Sequence, residues 1–168
     1  MTAAKQGILS EDKRAERDEL IGLLKQAYWM EIETVMSYIA NSINPDGLRA
    51  QEIVESLQTD IQEELTHAQE FGKRIKELYG VVPGSAEFSS VQSFLQPPED
   101  QTDMVSVVRG VIEAESGAID HYNKIIEFCG EIGDPVTEDM VTTILRDEEG
   151  HMRLFEGFLR ELEGDKKS

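Results

Sequence analysis

One cysteine, Cys129, is all the chain contains, so no internal disulfide can form and no four-cysteine metal knuckle or rubredoxin-type centre fits within it. Such sparing use of cysteine points to a reducing compartment, and the cytoplasm is the expected location. No stretch approaches the run of about 20 apolar residues that a membrane helix needs, and the opening MTAAKQGILSEDKRAERDEL carries no apolar signal segment. A membrane is therefore not expected as a partner. Basic residues are scarce as well, with 16 Lys and Arg against 34 Asp and Glu and a net charge of −18. Lys5, Lys13 and Arg14 near one end and Lys166 and Lys167 near the other are too few to form a phosphate-binding arm, which excludes nucleic acid from the expected partners.

What is present is helical periodicity. The chain has 168 residues, 39% of them apolar, enough for one domain with a sizeable core and too few for a second. Apolar residues recur at helical spacing through four segments, and the breakers fall between them. The first segment runs from an N-cap at about Ser10 to the turn Asn44-Pro45-Asp46-Gly47. The second continues to Leu78, where Tyr79-Gly80 and Pro83 stop it. Thr102-Asp103 opens the third, which ends at Cys129-Gly130, and Asp134-Pro135 caps the fourth, which fades at Glu163-Gly164.

Two short turns make two antiparallel hairpins. The connection from Gly80 to Gln101 is longer, holds Pro83, Gly84, Pro97 and Pro98, and is predicted to carry a short helical stretch around residues 89–95. It is long enough to cross the bundle end to end and leave the second and third helices parallel. The expected organisation is all-α: a flexible N-terminus over 1–9, a four-helix bundle over 10–163 and a tail over 164–168.

The two hairpins resemble one another at an offset of 84 residues. Glu31 falls on Glu115 and Tyr38 on Tyr122; Glu64 falls on Glu148, His67 on His151 and Phe71 on Phe155. Glu and His three residues apart on a helix occupy neighbouring positions of one face, within reach of one metal ion. Counting from the shared turn at 1.5 Å per residue, Glu31 lies about 21 Å away and Glu64 about 25 Å, so the hairpin brings them to one level. The second hairpin does the same for Glu115 and Glu148, each about 22 Å from its turn. These carboxylates would stand among Leu24, Ala27, Val35, Ala68 and Phe71, where an uncompensated charge is costly. Four carboxylates and two neutral imidazoles match two divalent cations, and ligation rich in oxygen suits iron or manganese better than structural zinc.

At these residues the chain resembles the ferritin-like superfamily, whose di-metal members combine two single glutamates with two Glu-x-x-His motifs. The likeness runs from about Ser10 to Leu162 and is greatest for bacterioferritins and Dps-like ferritins with a site inside one subunit. It implies Glu31 and Glu115 as terminal ligands, Glu64 and Glu148 as bridging carboxylates and His67 and His151 as imidazole ligands of two iron ions, with manganese or zinc as substitutes. It also implies oxidation of Fe(II) by O2 or H2O2 for iron storage, detoxification and protection from oxidative stress. Two departures narrow the resemblance. Leu65 replaces the methionine that ligates haem in bacterioferritin, so haem is not expected, and Ala118 replaces the additional helix-three glutamate of rubrerythrin. A di-iron oxidase or rubrerythrin-like peroxidase acting on a small molecule is the alternative. The chain has no room for the fifth helix of 24-subunit ferritins, which favours a dodecamer among homo-oligomers.

Tyr38 and Tyr122 are expected to donate hydrogen bonds to ligands or relay an electron, with core filling the plainer role. Glu63 and Asp147, each preceding a motif glutamate, are placed to orient the opposite histidines or else face solvent. His121 is expected to face solvent or an interface, and Asp60 to lie on an iron access route or at an ordinary polar position. Trp29, Met30 and Met36 read as core or interface.

Overall fold

The computed structural model describes residues 7–164. Residues 1–6 and 165–168, and with them Lys5, Lys166, Lys167 and most of both expected flexible ends, lie outside the described residues. Four long helices make up the architecture: α1 Arg14–Ile43, α2 Gln51–Glu77, α3 Met104–Ile132 and α4 Pro135–Gly164. No strand occurs among the described residues.

Capping explains most of the boundaries. Asp103 accepts from the backbone N–H of Ser106 at 3.1 Å and starts α3, as its residue type predicts. Asp134 does the same for Thr137 at the head of α4. Ser10 instead precedes a 3-10 turn, Glu11–Lys13, that runs into α1 at Arg14. The third helix outlasts Gly130 and stops at Gly133, whose φ of 76° takes the left-handed cap position open to glycine.

Helix α1 packs along α2, and α3 along α4; the two hairpins then meet through α1 with α3 and α2 with α4. Direction follows from which residues touch. Tyr38 of α1 reaches Glu115 of α3 while Tyr122 reaches Glu31, so α1 and α3 run antiparallel. Because α1 is also antiparallel to α2, helices α2 and α3 are parallel, the arrangement that the long crossover permits.

The crossover is where the expected detail fails. Residues 89–95 form no helix; the one helical turn of the connection is the 3-10 turn Ser85–Glu87. The physical reason is a competing acceptor: the Glu33 carboxylate takes the backbone N–H of Val91 at 2.9 Å and of Gln92 at 2.7 Å, together with the Ser90 hydroxyl at 2.8 Å. Farther along, the chain passes directly over α3 at Gly110, where a Cβ would meet the Phe94 carbonyl at 2.8 Å.

Two apolar clusters fill the bundle. One gathers Leu20, Leu24, Phe71, Ile75, Ile125 and Ile144, the other Ile53, Leu57, Val107, Val108, Val111 and Phe155. The motif acids and histidines join neither cluster. Of the five apolar residues expected beside them, four are buried and Val35 is half-buried.

Candidate metal centre

Six side chains converge from all four helices. Glu31, Glu64, Glu115 and Glu148 are each no more than 2% exposed, His67 4% and His151 7%. Two overlapping sets have all their ligand atoms within 4.8 Å of one another: Glu31, Glu64, His67 and Glu148, and Glu64, Glu115, Glu148 and His151. Glu64 and Glu148 belong to both sets, whereas each set has its own glutamate from an odd-numbered helix and its own histidine. All six residues predicted from the repeat are thus brought together.

The orientation of the histidines divides their nitrogens between inside and outside. His67 turns Nδ1 inward, 2.9 Å from Glu148 Oε1 and 3.4 Å from Glu64 Oε2, and Nε2 outward toward Asp147 Oδ2 at 3.4 Å. His151 repeats this with Nδ1 at 3.4 Å from Glu64 and 3.5 Å from Glu148, and Nε2 at 2.8 Å from Glu63. Glu63 and Asp147 therefore hold the histidine of the opposite helix, as expected, while remaining about half exposed. The tyrosines are equally reciprocal: Tyr38 donates to Glu115 Oε1 at 2.5 Å, and Tyr122 donates to Glu31.

Burial and mutual repulsion shape the charges. Burial, reinforced by Glu64 and Glu148, holds the Glu31 carboxyl well above the ordinary range, and the same influences raise Glu115. Burial also works against ionisation of Glu64, but the imidazoles of His151 and His67, each 3.4 Å away, outweigh it and bring it down to about 2. Burial would lower both imidazoles; the carboxylates of Glu148 and Glu64 beside them overcome it, lifting His67 to about 10 and His151 to about 12.

Hydrogen bonding within the cluster is incomplete. Both oxygens of Glu64, Oε1 of Glu148 and Nδ1 of both histidines are buried without a hydrogen-bond partner, and all belong to the shared sets. Orphaned polar atoms are rare in native cores, and a convergent group of them fits metal ligands. Oxygen-rich donors with one imidazole per set fit a pair of iron or manganese ions.

Other expected positions resolve differently. His121 is only 5% exposed and its Nε2 lies 2.9 Å from the Leu23 carbonyl; it is a buried tie between α3 and α1, which corrects the solvent-facing expectation and leaves it outside the candidate ligand sets. Asp60, 5% exposed, stands 3.7 Å from His151 Nε2, and burial first, then neighbouring carboxylates, raise it to about 6. Trp29 packs against Phe88, Met30 against the core, and Met36 is exposed. Sequence reasoning missed Glu33 and Gln92. Neither has a repeat partner, since Glu33 falls on Gly117 at the common offset, and no local pattern marks a carboxylate that captures a distant loop.

Comparison with known proteins adds family context. A family profile described as ferritin-like domain matches residues 21–164. The bacterioferritin of Desulfovibrio desulfuricans is 26% identical over 146 residues, covering 87% of this chain and 75% of that protein. Its crystal structure, described with a diiron site in different catalytic states, superposes with a TM-score of 0.77 at 22% identity, over 90% of this chain and 84% of the other. A bacterial ferritin of Neisseria meningitidis is 31% identical over 112 residues, 66% of this chain and 67% of its own. A dodecameric thioferritin of Bacteroides fragilis, described as bacterioferritin-related, superposes with a TM-score of 0.79 at 25% identity over 90% of both chains.

Proposed function

The chain belongs to the ferritin-like family, and from that premise we propose that its buried cluster is a ferroxidase centre. It takes ferrous iron as substrate and oxidises it in pairs with O2 or H2O2, serving iron storage, detoxification and protection against oxidative damage. The observation that carries this reading is the sharing of Glu64 and Glu148 between two four-residue sets that each contain one histidine. Two cations held side by side in this way present two electrons to one oxidant.

In this account Glu31 and Glu115 would each serve one ion, Glu64 and Glu148 would serve both, and Nδ1 of His67 and of His151 would complete the two sets. Iron supplies the electrons, and manganese or zinc would occupy the same donors. The protein supplies positions. Tyr38 and Tyr122 fix the rotamers of the end carboxylates, and Asp147 and Glu63 fix the two imidazoles with Nδ1 directed inward. Addition of Fe(II) to aerobic apo protein should produce ferric absorption that saturates at two irons per chain, and Glu148→Ala should lose rapid oxidation, by a hundredfold or more, while keeping its helical circular dichroism. Equal rates in the two proteins would remove the cluster from the chemistry.

An oxidase or peroxidase acting on a small organic molecule is the second reading, favoured by one observation: an apolar groove of about 500 Å³ is separated from the space beside the buried glutamates only by Met30, Gln92 and Ala114. Dioxygen consumption that continues with an organic reductant and yields no mineral would select it. We further propose a cytoplasmic protein, on the strength of the lone, buried Cys129. No described helix is long and apolar enough to cross a membrane. The likeness to the dodecameric Bacteroides fragilis protein supports twelve subunits, for which iron mineral is the proposed stored product; the net charge of −18 argues against nucleic acid as a partner, and Leu65 in place of a haem-ligating methionine argues against haem.

A further inference from the structure

The internal repeat breaks down at two positions beside the candidate ligands of α1 and α3. At the common offset Met30 falls on Ala114 and Thr34 on Ala118, so α3 offers only methyl groups where α1 has a thioether and a hydroxyl. The space released is a narrow gap against Glu31, Glu64, Glu115 and Glu148. About 10 Å³ of it is open to the centre of a water-sized molecule, about what one such molecule needs. On its outer side lies the groove of about 500 Å³, with Trp29, Val91, Phe94 and Gly117 among its walls. Met30, Gln92 and Ala114 line both spaces and so form the partition between them.

Gln92 is the polar member of that partition. It is only 5% exposed; its Nε2 donates to Thr34 Oγ1 at 2.9 Å, but its Oε1 has no hydrogen-bond partner. A buried amide oxygen left without a donor is unfavourable unless a small molecule supplies one. Its position is imposed by Glu33, itself 2% exposed, whose carboxylate binds the backbone N–H of Val91 and Gln92 and so clamps the crossover to α1.

We propose that Gln92 is the throat of an access path from the α1–α3 groove to the metal centre, and that it admits hydrogen peroxide by accepting one of its O–H groups. The inference rests on the ferroxidase reading and deepens it. Dioxygen has no O–H and gains nothing from an amide acceptor, and an organic molecule large enough to fill the groove does not fit a gap of one water. Peroxide delivered this way takes one electron from each of two ferrous ions; its O–O bond breaks, and two protons complete two water molecules.

Gln92→Leu removes the amide while keeping most of the volume. In wild type and variant, initial rates of ferrous oxidation are compared with H2O2 under anaerobic conditions and with O2, after an anaerobic Co(II) titration has counted the metal sites. The ratio of the peroxide rate to the dioxygen rate should fall about tenfold, the rate equivalent of one hydrogen bond, with two Co(II) per chain still bound. A high-resolution crystal of the metal-free wild-type protein should also show a solvent or peroxide oxygen within hydrogen-bond distance of the Gln92 amide. Normal Co(II) uptake with an unchanged ratio overturns this inference alone, even if a water occupies the amide. Failure of the wild type to bind Co(II) overturns the ferroxidase reading and this inference with it. If only the variant loses Co(II), the wild-type crystal decides: a dry Oε1 overturns the inference.

Discussion

His67 and His151 carry their protons only because Glu64 and Glu148 stand opposite them, and a cation must displace those protons to reach Nδ1. Both imidazoles are raised, to about 10 and about 12, above the ordinary 6.5. Their contribution to the stability of the metal-free protein is therefore complete below about 6.5 and is lost as pH rises through 10 to 12. Glu64 is lowered to about 2 from 4.5, so its contribution is present above about 4.5 and lost only as pH falls toward 2. Between those limits the metal-free fold should be insensitive to these three groups, whereas metal affinity should climb with pH. Titration with Co(II) in weakly buffered solution at pH 7 should release on the order of one proton per cation, from the imidazole that each cation engages. Uptake without proton release would show that the two imidazoles are not protonated in the metal-free protein.

The two hairpins are joined at one end by a buried ion pair that no motif announced. Arg74 of α2, 7% exposed, donates to both oxygens of Asp134 at 3.0 Å and to Thr137 at 2.7 Å. Asp134 thus caps α4 and ties it to α2 with one carboxylate. Asp134→Ala removes the cap and leaves a buried guanidinium with Thr137 and the exposed Glu77 as its remaining partners, which should cost about 3 kcal/mol or more in urea unfolding. A loss under 1 kcal/mol would make the pair incidental. The helices were legible in advance because their signals are local: Asp103 and Asp134 are read as caps from residue type alone, and the 3.6-residue period is sustained over about eight turns. The crossover was not, because its path is set by Glu33 and Gly110, which lie 58 residues before Val91 and 16 residues after Phe94. Helical propensity over 89–95 lost to a carboxylate that sequence spacing cannot locate.

At the scale of the whole molecule, α1 keeps Met36, Ile39 and Ile43 exposed at 55, 43 and 72%, spaced to form one stripe along the helix. Apolar residues left in solvent on a long helix fit contacts between copies of the chain. Mass photometry should find a species of about 230 kDa, twelve chains of 18.9 kDa. A species below about 50 kDa would leave the redox chemistry in place and remove storage in a closed shell. The candidate ligands were legible because the repeat doubles every one of them, so that Glu31, Glu64 and His67 predict where Glu115, Glu148 and His151 must lie. What the repeat hid is its own failure at Met30, Thr34 and Gln92, where the site is asymmetric. The most direct test of the central claim is anomalous diffraction at the iron edge from crystals loaded with Fe(II). Two peaks should appear in each chain, each against one histidine Nδ1 and both against Glu64 and Glu148. A protein that stays unloaded, or a single peak on Asp60, Glu63 and His151 with the four buried glutamates bare, would contradict it.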